Sequence, residues 1–334
     1  MITQNTFDAK MDSLIGRKTK KIAAALSGGS DSMALVLLCA NWARASGVKL
    51  VALTVDHGLR PESAKEARQA GAWMRLRGIA HEILTYAGAK PESNIEGAAR
   101  EYRYAMLTDY CRKHRIPALL VAHNLDEQAE TFFLNLARGS GVFGLAGMPE
   151  ISERGGVKIA RPMLEFSKDE IKAYLRARRQ KWIEDPSNRD GKYKRVRVRG
   201  LKKLLDALEM TPARIALTIA NMRRAREAIE SYAGDLIARA VKIRSDGTAA
   251  LDTEIFNAAP AEVAMRALAE LLRRLSGADY PPRLESLENL YGKIAGGTLG
   301  KGATLAGFKF SSAKNGLATF EPEKGRIKKP ACKK

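Results

Sequence analysis

Lys21-Ile22-Ala23-Ala24-Ala25-Leu26-Ser27-Gly28-Gly29-Ser30-Asp31-Ser32-Met33-Ala34-Leu35 is the stretch that decides the fold of this chain. A short apolar strand runs into a Ser/Gly turn, and an apolar helix follows at once. In doubly wound sheets, ligands bind at the carboxyl ends of strands. A helix N-terminus there offers unpaired N–H groups and positive potential, which suit phosphate. Paired glycines let backbone N–H groups form an anion nest without side-chain clash. The plainer alternative is a strand–helix turn in which Ser and Asp serve as N-cap residues. The string is neither G-x-x-x-x-G-K-S/T nor G-x-G-x-x-G, so it is not an ordinary P-loop or dinucleotide fold.

Working outward, strands and helices alternate. Residues 21–26, 49–55, 81–86 and 118–122 read as strands. Residues 31–46, 62–77, 96–114 and 126–137 read as helices. Such alternation predicts βαβ units and a parallel sheet. The unbroken apolar run Ala118-Leu119-Leu120-Val121-Ala122 fits a sheet covered on both faces. A loop holding Gly139, Gly141, Gly144 and Gly147 follows, then a strand over 157–162 and a helix over 168–179. From Thr211 the texture becomes helical and Ala/Arg-rich, over 212–244 and 261–276. After Gly296 short strand-like pieces appear at 304–310 and 317–320. The expected fold class is therefore α/β: a doubly wound, mainly parallel sheet, then a smaller helical domain and a short C-terminal β-like region. The expected boundaries are 18–208, 211–295 and 296–322, with a basic tail over 323–334.

Composition narrows the function. Of 334 residues, 45% are hydrophobic, too many for a wholly disordered chain. The longest apolar run near the N-terminus, 33–40, falls far short of the ~20 residues a bilayer needs, so no membrane association is expected. The first fifteen residues carry Asp8 and Asp12 and no apolar core, unlike a secretory signal. Cys39, Cys111 and Cys332 are widely spaced, giving neither a disulfide framework nor a zinc ribbon. A cytoplasmic location is the simplest expectation. With 57 Lys+Arg against 37 Asp+Glu, the net charge is +20, which favours a polyanionic partner, nucleic acid first.

Further strings accompany the first. Thr54-Val55-Asp56-His57-Gly58-Leu59-Arg60 closes the second strand. Asn94-Ile95-Glu96-Gly97-Ala98-Ala99-Arg100-Glu101-Tyr102-Arg103-Tyr104 opens a long helix. His123-Asn124-Leu125-Asp126-Glu127-Gln128-Ala129-Glu130-Thr131 follows the buried strand. Arg138-Gly139-Ser140-Gly141, running on to Met148, forms the glycine loop, and Glu184-Asp185-Pro186-Ser187-Asn188 precedes the arginines at 195–199. The Ser27–Ser32 string resembles the PP-loop of the ATP-pyrophosphatase superfamily. In combination, over about residues 20–200, the strings resemble the tRNA(Ile)-lysidine synthetase family.

The resemblance implies a ligase that uses ATP and Mg²⁺. It would join free L-lysine to C2 of the wobble cytidine of tRNA(Ile) with a CAU anticodon. ATP adenylates the cytosine oxygen, the lysine amine then attacks C2, and AMP and pyrophosphate leave. By motif position, Ser27, Gly28, Gly29, Ser30, Asp31 and Ser32 would bind ATP, and Asp31 would also hold the metal. Arg100 and His123 would act in catalysis with Asp31 and Glu127, and Glu130 would bind the lysine. Glu127 departs from the family, which more often has a second aspartate there, so its role and that of Asp126 stay open. Valines at 196 and 198 depart too.

Residues 189–203 hold eight Lys/Arg and one acid. The alternation of Arg195, Arg197 and Arg199 with valines predicts an extended piece that points three guanidiniums one way, toward tRNA phosphate. Three rival readings make different demands. A tRNA thiolase of this superfamily would need paired cysteines, and a glutamine-dependent amidotransferase an extra glutaminase domain. A non-catalytic basic RNA-binding protein would not need Asp31, Arg100 and His123.

Overall fold

A computed structural model describes residues 2–16, 18–56, 58, 62–86, 95–184, 198–278, 281–300, 302–313 and 316–323. The chain folds as two units, Met1–Met222 and Arg223–Lys334.

The first unit is built on a six-stranded sheet. Its strands are β1 (Lys21–Ala25), β2 (Lys49–Asp56), β3 (Ala80–Thr85), β4 (Ala118–Leu120), β5 (Ile151–Arg154) and β6 (Val157–Ala160), in the order β3-β2-β1-β4-β6-β5. All neighbours are parallel except β5 and β6. The period of two along each strand sorts side chains to two cores. Ile22, Ala24, Ala52, Ala118 and Leu120 enter one core, and Ala23, Val51, Leu53, Leu119 and Val121 enter the other. Both faces are thus dry, which is why these strands are continuously apolar.

The first core is covered by α1 (Gln4–Ile15), α2 (Ser30–Ser46), α3 (Ser63–Leu76) and α7 (Lys168–Ala177). The second is covered by α4 (Ile95–Lys113) through Tyr104, Leu107 and Cys111. Two further helices, α5 (Leu125–Leu136) and α6 (Val142–Leu145), flank the glycine loop, and a short α8 (Lys202–Ala207) follows later in the chain. The chain winds from β1 to β3 in one direction, then returns to add β4 on the other side of β1. The turns after β1 and β4 therefore meet at a topological switch point, where such folds bind ligands.

Several elements go beyond the sequence reading. Helix α1 lies before residue 18, where the catalytic domain was expected to begin. Its Phe7, Met11 and Leu14 are buried, and its Asp12 accepts a 2.9 Å bond from Trp42 Nε1. Strand β5 forms a hairpin with β6 through Gly155-Gly156, both at positive φ. A two-residue turn needs that backbone, and Gly-Gly supplies it.

In the second unit, β7 (Val241–Ile243), β8 (Ala249–Asp252), β9 (Ala303–Leu305), β10 (Phe308–Ala313) and β11 (Leu317–Pro322) form one antiparallel sheet, ordered β7-β8-β11-β10-β9. It shares a core with the C-terminal part of α9 (Pro212–Ala240), α10 (Thr253–Asn257), α11 (Ala261–Ser276) and α12 (Leu284–Ala295). Leu236, Phe256, Leu268, Leu290, Phe310 and Phe320 are all in that core. The helical and β-like regions expected over 211–295 and 296–322 thus form one unit. A helix stripe and a sheet face each need an apolar partner, and here they cover one another. The division between units falls within α9 rather than near 208–211. The basic tail beyond 323 lies outside the described residues.

Among the described residues no helix is long and apolar enough to cross a membrane. Cys39 and Cys111 are buried, and burial raises both thiols, that of Cys111 to about 11. They behave as small core residues.

Candidate active site

The turn after β1 is held from inside. Ser32 Oγ donates to Gly29 O at 3.0 Å and accepts from Ser27 N at 3.1 Å. Gly29 is the N-cap of α2, and no side chain caps it. Ser30 and Asp31 lie within the first helical turn, with Ser30 Oγ donating to Asp31 Oδ1 at 3.1 Å. The plain capping alternative therefore does not describe this turn.

Gly28 has φ +85° and its O accepts from Ile183 N at 2.9 Å. A Cβ at position 28 would stand 2.6 Å from Ile183 Cδ1. The segment 182–184 is thus a strap laid over the loop. Gly28→Ala should cost about 1–3 kcal/mol through left-handed strain and displacement of Ile183. Thermal unfolding and ATP titration check this: both the melting temperature and ATP affinity should fall. An unchanged melting temperature would show that the strap accommodates the methyl group.

A cleft of about 1160 Å³ opens over the loop. Its wall contains Ser27, Gly29, Ser30, Asp31 and Ser32, together with Arg100, His123, Glu127 and Arg199. The structure thus brings most of the expected site residues to one cavity, formed by the ends of β1, β2 and β4 and by α3, α4, α5 and α7. Arg100 also lies 5.3 Å from the centre of the Tyr104 ring. The side chain of Glu96, its alternative partner at i,i+4, lies outside the described part of the structure, as do His57, the 185–188 turn, Arg195 and Arg197.

The two neighbouring acids of α5 separate by function. Asp126 Oδ2 accepts a 2.7 Å bond from the backbone N of Lys168, at the start of α7. Glu127 lines the cleft and closes a capping box. Its backbone N donates to Asn124 Oδ1 at 2.9 Å, and its Oε2 accepts from Asn124 N at 3.4 Å. Asp126 therefore joins helices, while Glu127 faces the open space.

Glu130 is placed differently from its expected role. It is 7% exposed, is not part of the cleft wall, and receives two bonds from Arg199, at 2.5 and 3.2 Å. The hydrogen bond to Glu130 raises the Arg199 pKa against the opposing effect of burial, and the nearby charges of Glu127 and Asp31 add to it. Residues 198–200 are helical, so Arg199 does not stand on the extended piece expected there. Its guanidinium is paired with a carboxylate at the cleft wall.

The glycine loop is clasped by Gln128, which exchanges bonds of 2.7 and 3.0 Å with the backbone of Met148. Gly147, at φ +68°, leaves no room for a Cβ beside Gln128 Oε1, which would lie 2.7 Å away.

Lys168, Lys172 and Arg103 also line the cleft and were not expected from the sequence. Lys168 is the first residue of α7 and its Nζ lies 3.9 Å from Asp31 Oδ2. A cation at a helix N-terminus opposes the helix dipole. That misplaced charge was the available signal of a site residue.

Residues 3–207 match the model of a PP-loop domain. The tRNA(Ile)-lysidine synthase of Wolbachia pipientis wMel is 39% identical over 291 residues, 86% of this chain and 68% of that protein. The tRNA(Ile)-lysidine synthase of Bradyrhizobium sp. (strain BTAi1) is 38% identical over 317 residues, 89% of this chain and 88% of the relative. That of Hyphomonas neptunium is 37% identical over 97% of this chain and 88% of its own length. Among solved structures, the U34-tRNA thiolase NcsA from Methanococcus maripaludis superposes with a TM-score of 0.56 at 19% identity, covering 67% of this chain and 78% of that one. That likeness concerns the fold alone. The phosphate loop, the cleft at the switch point and the match along most of the chain lead to one conclusion: the chain belongs to the tRNA(Ile)-lysidine synthase family of PP-loop enzymes.

Proposed function

We propose that this chain uses ATP to attach lysine to C2 of the wobble cytidine of tRNA(Ile) with a CAU anticodon. The supporting observation is one cleft that holds the phosphate loop, Arg100, His123 and Glu127 together. In the first step the cytosine C2 oxygen attacks the α-phosphorus of ATP, and the bond to pyrophosphate breaks. In the second the neutral lysine ε-amine attacks C2, the C2–O bond breaks with release of AMP, and the amine gives up its proton. A ring carbonyl oxygen is a poor leaving group, and adenylation makes it a good one.

The residues divide these tasks. The open N–H groups of α2 and the cations Arg100 and Lys168 face the charge that builds on the phosphates. His123, after β4, lines the same cleft, and its role in this reading is to donate to a phosphate oxygen or the cytosine oxygen. Glu127 is the carboxylate that meets the lysine amine. A neutral amine is the nucleophile, so a carboxylate that takes its proton raises the rate.

Mg²⁺ bound with nucleotide phosphates needs only one or two protein carboxylates. Asp31 at the loop supplies an oxygen donor of that kind. Among the described residues no group of three or more His, Cys, Asp or Glu forms a protein cage. When bound, the ion would neutralise charge on the departing pyrophosphate.

Glu130 can take a lysine ammonium only if Arg199 leaves it. While the pair stands, Glu130 acts by fixing Arg199 at the cleft wall. Arg199→Ala should cost on the order of 2 kcal/mol of stability. That is less than for a fully buried pair, because Arg199 is partly exposed. Glu130→Gln should recover part of that loss in the double variant. Thermal unfolding of the four proteins measures it, and strictly additive effects would show that the two residues are not coupled. The tRNA contacts expected of Arg195 and Arg197 belong to the same proposal, with Arg199 joining them only when freed from Glu130.

The cytoplasm is the proposed location, since the tRNA substrate is used there and free thiols persist there. The deciding experiment incubates the protein with ATP, labelled lysine and unmodified tRNA(Ile). Label in the RNA, with AMP release that needs both lysine and tRNA, is the expected result. AMP release indifferent to lysine would overturn the assignment in favour of another PP-loop reaction.

A further inference from the structure

A second pocket of about 570 Å³ lies in the first unit, away from the ATP cleft. It is formed by the later turns of α2, the end of α3 and the end of α7. By helical rise, Leu37 and Arg44 stand about 10 and 20 Å along α2 from the phosphate loop. No lining residue is shared with the cleft.

Its chemistry is one-sided. Arg44, Arg77, Arg178, Arg179 and Lys181 line it, and no Asp or Glu does. Among the described residues none of these five forms a salt bridge. Arg77 Nε instead donates to Gln180 Oε1 at 3.0 Å, and Arg178 stacks 3.7 Å from the centre of the Tyr174 ring. These bonds orient two guanidiniums without neutralising them. The Tyr174 side chain is 3% exposed, and its ring lies beneath Arg178 in the pocket. Trp73, Leu37 and Ile79 add an apolar wall. Five cations beside the Trp73 ring and an apolar wall match a phosphate carrying a sugar and base better than a bare inorganic anion.

We propose that this pocket binds a phosphate-bearing unit of the RNA substrate, apart from the nucleotide that reacts in the cleft. The inference rests on the RNA-modifying reading above. The roughly 20 Å from the phosphate loop to Arg44 is short beside the length of a folded RNA, so one RNA can span both places. A free nucleotide shares the chemistry, and the test separates the two sources.

The test compares wild type with Arg44→Ala/Arg179→Ala and with Arg44→Lys/Arg179→Lys, using unmodified tRNA(Ile). Arg44 and Arg179 are exposed, so both variants should fold, and equal melting temperatures verify it. The alanine pair should bind RNA about tenfold more weakly at 0.1 M salt, with a slope of log K against log salt smaller by up to about two units. The lysine pair, which keeps the charge, should bind close to wild type. Equilibrium dialysis with labelled ATP should give one site per chain in all three proteins. Unchanged RNA affinity and salt slope in the alanine pair would overturn the proposal. If dialysis then gave a second ATP site lost in that pair, the occupant would be a free nucleotide. RNA binding needs no turnover, so a wild-type protein that binds RNA through this pocket but incorporates no lysine would refute only the catalytic reading.

Discussion

Asp31→Ala should abolish AMP and pyrophosphate formation while the protein stays folded. The folded state asks little of this side chain. Its carboxylate accepts one hydrogen bond from Ser30 Oγ and stands 3.9 Å from Lys168 Nζ, in a partly exposed pair. Losing these contacts should cost about 1 kcal/mol of stability. The reaction asks far more, because the carboxylate sits in the first turn of α2 where phosphate and its metal would lie. Losing several kcal/mol of transition-state stabilisation lowers the rate by about a thousandfold or more. Rates of AMP release over a range of Mg²⁺ concentrations, beside thermal melts, separate the two. A folded variant with wild-type AMP release at saturating Mg²⁺ would reduce Asp31 to a contact of Lys168.

Glu127→Gln should lower lysine transfer by about 10²–10⁴-fold, the usual range for a lost proton acceptor. The structure makes this substitution unusually clean. Glu127 both closes the capping box with Asn124 and faces the cleft. Glutamine can close a capping box as glutamate does, so helix α5 should keep its start. Only the charge is removed. Glu127→Asp makes the opposite change: it keeps the charge and shortens the reach, and activity should largely survive. Single-turnover assays with labelled lysine, following adenylation and transfer separately, read the result. Equal transfer by Glu127→Gln would move the proton acceptor to another residue of the wall, with His123 the first to test.

Much of the catalytic unit was legible because its signals are local. A strand buried on both faces must be apolar throughout, and Ile22-Ala23-Ala24 says so in the sequence alone. Ser27-Gly28-Gly29 marks a loop because positive φ and close approach need glycine at position 28. The elements that were missed also carried signals, but weaker ones. Gly155-Gly156 marks the hairpin of β5 and β6, and Asp246-Gly247 the turn between β7 and β8, where Gly247 has φ +85°. Strand β7 follows α9 with no turn residue between Ala240 and Val241. Helical periodicity therefore ran past the true end of the helix.

The parallel α/β fold and the phosphate loop were legible in the sequence alone, together with Asp31, Arg100, His123 and Glu127 of the cleft wall but not Arg103, Lys168 or Lys172. The fold and the loop were legible because strand burial, turn geometry and helix capping each act over a few residues. Tertiary structure alone decided how neighbouring charges divide their work. Asp126 and Glu127 are adjacent in the chain, yet one ties α5 to α7 and the other faces the cleft. Glu130 and Arg199, 69 residues apart, satisfy one another instead of two separate substrates. A buried carboxylate must find a cation, and which cation it finds depends on where the fold brings distant segments together, not on the spacing of the motif.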